Sequence, residues 1–136
     1  YFVFGLHENF VSKSVFNSIK EQEARLKYVS YEEVEVRKQK TFASQLEEGL
    51  SFIKQDPFGV ELDLDAIPNI PSSAMTLSGF SVQQAREYIH YFGKHKNASY
   101  LHICEGAPDL DNATNNHFTG KLIAYLITDF IKSKTL

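Results

Sequence analysis

Val60-Glu61-Leu62-Asp63-Leu64-Asp65-Ala66, taken with Leu101-His102-Ile103-Cys104-Glu105, decides how this chain reads. Each is an apolar, strand-like run that ends in acid. Strands buried on both faces seldom carry carboxylates unless something pairs with them. Asp63 and Asp65 are two apart, so an extended chain would point both to one face of a sheet. Two like charges held that close are costly unless a cation sits between them. Asp63 and Asp65 are therefore expected to be hard oxygen ligands for a divalent metal. Glu105, at the end of a later strand, is expected to face the same crevice.

Working outward, strand and helix alternate along the chain. Tyr1 to Leu6 reads as a buried strand, and Ser12 can cap a helix running to about Glu23, with Val15, Phe16 and Ile19 at helical spacing. Leu26 to Val29 reads as a short strand, and Tyr31 to Val36 as one turn of helix. A helix from about Gln39 to Lys54 has Phe42, Leu46, Leu50 and Ile53 as its inner stripe, and Asp56-Pro57-Phe58-Gly59 stops it. After the strand Val60 to Leu64 comes a long loop marked by Pro68, Pro71, Ser72, Ser73 and Ser78-Gly79. Loops of that length inside a compact domain are usually functional. Ser81 caps a helix to about Gly93, Ser99 to Cys104 is a strand, residues 105–116 are a polar loop, and Phe118 to Lys132 is the last helix.

This alternation predicts an α/β fold, a parallel sheet with helices on both faces, joined by right-handed crossovers. In such sheets ligands bind beyond the carboxyl ends of the strands. Asp63, Asp65 and Glu105 all fall at such ends, and so do His7 and Glu8 after the first strand. The expectation is a convergence of four acids and one histidine on one rim. The simplest reading of the charge run from Glu32 to Lys40 is an exposed face. His102, between Leu101 and Ile103, reads as a packed strand histidine.

Composition narrows the function classes. A chain of 136 residues is expected to be one domain, residues 1–136. It is 43% hydrophobic and 23% charged, ordinary for a soluble globular protein. A net charge of −3 with dispersed lysines gives no electrostatic footprint for nucleic acid. No apolar run is long enough for a membrane span. The single cysteine, Cys104, cannot form an internal disulfide, which points to a cytoplasmic location. The opening Tyr1-Phe2-Val3-Phe4-Gly5-Leu6 begins inside an apolar strand, so the chain is expected to be a piece of a longer protein.

Val60 to Ala66 resembles the strand-end D-x-D motif of the arginase-like hydrolases, or ureohydrolases, which include arginase, agmatinase and formimidoylglutamase. Ser78-Gly79-Phe80-Ser81 resembles the family's glycine turn into the helix after the metal loop. Leu101 to Pro108 resembles the strand whose terminal glutamate reaches the substrate, and Thr119-Gly120-Lys121-Leu122-Ile123-Ala124 resembles the entry to its closing helix. The resemblance implies the C-terminal part of a three-layer arginase-like fold. It implies Asp63 and Asp65 as ligands in a site for two Mn²⁺ ions, and Glu105 as the acid that binds the guanidino or formimino end of a small substrate. It further implies a metal-dependent hydrolase of linear C–N bonds, of formimidoylglutamase type before arginase or agmatinase, assembled as a homo-oligomer. The alternative is a non-catalytic arginase-like scaffold.

Departures from the family pattern accompany the matches. Ile67-Pro68-Asn69 stands where an Asp-Pro usually follows the D-x-D, and Gly106-Ala107-Pro108 lacks the usual polar side chain. The family's upstream histidine and D-x-H-x-D ligands have no counterpart in these residues. The chain is thus expected to carry about half of a metal site and, in isolation, little activity.

Overall fold

The computed structural model describes residues 1–113 and 117–135. Residues 114–116, the end of the expected polar loop, lie outside the described residues. The chain divides into two compact units, Tyr1–Gln55 and Asp56–Leu136. Each is α/β, with a pair of parallel strands accompanied by helices.

In the first unit, β1 (Phe2–Leu6) pairs with β2 (Lys27–Ser30), placing Phe2 opposite Lys27, Phe4 opposite Val29 and Leu6 opposite Ser30. The register slips once between Phe4 and Leu6, at Gly5, whose φ of 85° costs a glycine little. The crossover is α1 (Lys13–Glu21), with the Ser12 hydroxyl accepting the Val15 amide at 3.3 Å. Next comes α2 (Phe42–Ile53), which begins not at about Gln39 as expected but at Phe42, the first residue of its apolar stripe. Thr41 and Ser44 form a reciprocal capping box there and fix the first turn. Phe4 meets Phe42 edge-on at 5.1 Å and Phe2 meets Phe52 at 6.4 Å, so β1 packs on α2 through aromatic rings.

Between β2 and α2, Glu32–Val36 is a single π-type turn, closed by the Arg37 amide on the Glu32 carbonyl at 2.7 Å. One helical turn was expected here, and one is found. The exposed face expected from Glu32 to Lys40 is found only over residues 36–39. Val34 is 2% exposed, and the carboxylates of Glu32 and Glu33 turn in toward backbone amides of β2 and the loop after β1.

In the second unit, β3 (Phe58–Asp63) pairs with β4 (Ala98–Cys104), with Val60 opposite Leu101, Leu62 opposite Ile103 and Asp63 opposite Cys104. Val60 and Leu62 turn into the core, while Glu61 and Asp63 alternate to the exposed face. The crossover helix α3 (Val82–Gly93) starts at a second capping box, Ser81 with Gln84. The last helix, α4 (Phe118–Ser133), packs on α3. A Cβ on Gly93 would come within 2.3 Å of the Ser133 hydroxyl, so the two helix ends approach as closely as a glycine allows. The core holds Leu62, Leu64, Ile67, Phe80, Ile89, Phe92, Leu122 and Leu126. Each such side chain contributes about 1.5–3 kcal/mol on burial. Tyr88 and Tyr91 serve that core through contacts with Phe92.

No helix among the described residues is long and apolar enough to cross a membrane.

Candidate functional site

The strand β3 ends at Asp63, and Leu64–Ala66 turns at once into a 3₁₀ turn. The Asp65 amide donates to Asp63 Oδ1 at 2.8 Å, so Asp63 caps the turn that carries Asp65. This corrects the pleat argument for the pair. The two carboxylates are related by a tight turn rather than by same-face alternation, because Asp65 has already left the strand.

Glu105 follows β4 directly and takes a left-handed backbone conformation, φ 63°, which a non-glycine residue adopts at a cost. Two hydrogen bonds hold it there. The Ser73 amide donates to the Glu105 carbonyl at 3.0 Å and the Ala107 amide donates to the Pro71 carbonyl at 3.0 Å, and together they form the antiparallel bridge between Ser72 and Gly106. Gly106 lies under Leu64, where an added Cβ would stand 2.9 Å from Leu64 Cδ1. The long loop after Asp65 is therefore stapled to the end of β4 by its own backbone.

The same loop joins the acids. The Ser73 hydroxyl bonds Asp65 Oδ2 at 3.2 Å and also Glu105 Oε2, while the Ala74 amide donates to Asp65 Oδ1 at 3.1 Å. Burial pushes the Asp63 carboxyl above the usual carboxylate range, and the charges of Asp65, Glu105 and Glu61 push it further, against the opposing hydrogen bond from Asp65. Burial likewise raises the Cys104 thiol, with Asp63 the largest of four acidic neighbours, so it stays protonated and inert. Asp63, Asp65 and Glu105 thus meet on one rim. Among the described residues no lysine or arginine pairs with any of them. Lys121 lies over the Phe118 ring instead of reaching Glu105.

The donor set is carboxylate oxygen, which suits Mg²⁺, Ca²⁺ or Mn²⁺. Asp63 Oδ2 has no hydrogen-bond partner among the described residues. No group of three His, Cys, Asp or Glu among them is placed to enclose a metal ion. The residues present fit part of a metal site, not a whole one.

The other candidates have different roles. In the first unit, Glu8 takes a two-pronged hydrogen bond from Arg37, at 2.6 and 2.9 Å, and another from the Ser30 hydroxyl at 2.6 Å. The Arg37 bond first, then Ser30, holds the Glu8 carboxyl down to about 2. Burial alone would raise Glu33, but the Ser30 amide and Lys40 outweigh it and leave that carboxyl low. His7 stacks on Tyr31 at 4.6 Å and lies 3.5 Å from Glu32. His7 and Glu8 are thus held by partners inside their own unit. His102 is not packed in the core. It is exposed and pairs with Glu61 at 3.0 Å across the β3–β4 ladder.

Ser73 is the residue that sequence reasoning passed over. It stood among the loop-marking prolines and serines, and its only signal was its place in a long loop between two acid-ended strands.

No family model matches the chain, and no curated protein matches it by sequence. Solved structures do match. Formimidoylglutamase from Bacillus subtilis superposes with a TM-score of 0.84 at 18% identity, over 99% of this chain and 41% of that one. Arginase from Bacillus subtilis gives 0.81 at 19% identity, over 99% and 45%. Trypanosoma cruzi formiminoglutamase with Mn²⁺ gives 0.79 at 16% identity, over 97% and 43%. The fold is arginase-like. The chain spans less than half the length of these structures. At this level of identity the likeness concerns the arginase-like fold, and the chemistry rests on the residues placed upon it.

Proposed function

We propose that this chain is the C-terminal part of a larger arginase-like domain that hydrolyses linear C–N bonds in guanidino or formimino compounds. The observation that carries the reading is the meeting of Asp63, Asp65 and Glu105 at the carboxyl ends of β3 and β4 with no basic side chain among the described residues to neutralise them. Asp63 and Asp65 would hold Mn²⁺, two ions in the intact site, with the remaining ligands supplied from outside these residues. Bound Mn²⁺ supplies Lewis acidity, which makes water a nucleophile at neutral pH. Glu105 binds and orients the cationic amidine end through charge-assisted hydrogen bonds. The Asp65 and Ala74 amides fix the two aspartates by main-chain contacts, so the acids keep their place before substrate arrives. The free thiol Cys104 fits a cytoplasmic enzyme, and the resemblance to arginases favours a homo-oligomer.

The test is a substrate screen on the intact protein, with Mn²⁺, using formiminoglutamate, arginine, agmatine and guanidinobutyrate. Turnover of one is expected, formiminoglutamate first. Product from none of them removes the proposal. A second reading, a non-catalytic scaffold, is favoured by the lack of a three-residue metal set among the described residues. Metal analysis of the intact protein separates the two, since stoichiometric Mn²⁺ argues against a scaffold.

A further inference from the structure

We infer that Ser73 is a positioning residue that couples the metal-binding acid Asp65 to the substrate-binding acid Glu105. This rests on the function proposed above.

The geometry is specific. One hydroxyl lies between two carboxylates, within reach of Asp65 Oδ2 and Glu105 Oε2. A serine has one proton to donate, so it serves one acid fully at a time. The acceptor with more uncompensated charge takes it. With no cation present the two acids compete for it. Once a cation neutralises Asp65, the proton belongs to Glu105. That fixes Oε2 and leaves Oε1 for the incoming amidine. Cation binding at Asp65 therefore sets the acid that receives the substrate.

The backbone reinforces the assignment. The same residue donates its amide to the Glu105 carbonyl, so Ser73 holds Glu105 at both its main chain and its side chain. Glu105 is in the left-handed region, a costly conformation that persists only where its surroundings hold it. A substitution that removes only the hydroxyl leaves the main-chain contact in place. It separates the positioning role from the structural one.

The test compares Ser73→Ala and Ser73→Thr with the intact wild-type protein, by calorimetric titration with Mn²⁺ alone, then with the accepted amidine, and by steady-state kinetics. Ser73→Ala should bind Mn²⁺ within about threefold of wild type, because Asp65 keeps its Ala74 amide contact. Its amidine Kd and KM should both rise roughly tenfold or more, the loss of a hydrogen bond to a charged group, with kcat changed far less. Ser73→Thr, which keeps the hydroxyl, should restore amidine binding to within about threefold of wild type. If wild type binds Mn²⁺ and amidine and Ser73→Ala binds the amidine equally well, the coupling is refuted while the proposed function stands. A fall in kcat at unchanged KM also refutes it. If wild type binds neither Mn²⁺ nor any amidine, the proposed function fails and the coupling falls with it. Should Ser73→Ala fail to fold, Ser73→Thr decides: an amidine affinity weakened as much as by loss of the hydroxyl overturns the inference.

Discussion

Two acid clusters sit at the carboxyl ends of two parallel strand pairs, and they are built to opposite electrostatic plans. After β1 and β2, Glu8 and Glu33 meet Arg37 and Lys40, and both carboxyls lie below their ordinary range. After β3 and β4, Asp63, Asp65 and Glu105 meet, among the described residues, only a hydroxyl, two amides and one another, and Asp63 lies above its ordinary range. A cluster neutralised from within supports the fold. Under the proposed function, the cluster left negative is the one that receives a cation. Acid count alone does not separate the two; the partner does.

Removing the charge from the second cluster should break the contrast most strongly. Asp63→Asn keeps the oxygen that accepts the Asp65 amide but loses the charge. It should lower turnover and Mn²⁺ affinity of the intact protein by about a hundredfold or more, since even outer residues around a metal cost 10–100-fold. Without metal its melting temperature should rise by about one or two degrees, because a raised carboxyl burdens the folded state. Turnover and a metal-free melt check both halves, and a melt that falls would contradict the reading of Asp63.

The next test is on the first cluster. Ser30 is 1% exposed and serves both Glu8 and Glu33. Ser30→Ala should lower stability by about 1–2 kcal/mol in denaturant titration, with KM and kcat unchanged. Glu8 also gives this cluster a pH signature. Its folded carboxyl titrates at about 2 against an ordinary 4.5, so its contribution is fully present above about 4.5. It is lost as the pH falls from there toward 2. Acid melts of wild type and Arg37→Ala should diverge above that window and converge below it. The smallest effect belongs to Lys40→Ala, within about 0.5 kcal/mol, since its pair with Glu33 is partly exposed.

Much of this was legible in the sequence. Ser12 and Ser81 marked helix starts, Asp56-Pro57 marked a stop, and the apolar runs gave the four strands found among the described residues within one or two residues. These signals are local, and local physics settles them. Where side chains from distant positions meet is not local. The run from Glu32 to Lys40 looked like a solvated face because its partners Glu8 and Ser30 come from other elements. Asp63 and Asp65 were singled out from the sequence but joined by the wrong geometry, since nothing in the alternation reveals where a strand gives way to a turn. Ser73 was illegible because a hydroxyl in a serine-rich loop carries no periodic signal.

Both strand pairs stop at two members among the described residues. In a parallel pair, alternate amides of each strand point away from the neighbour. Deuterium uptake along β1 to β4 should therefore follow a two-residue rhythm, slow then fast, rather than the uniform protection of a strand flanked on both sides. Any chain that docks alongside will announce itself by slowing the fast half of that rhythm, residue by residue, on the strand it has joined.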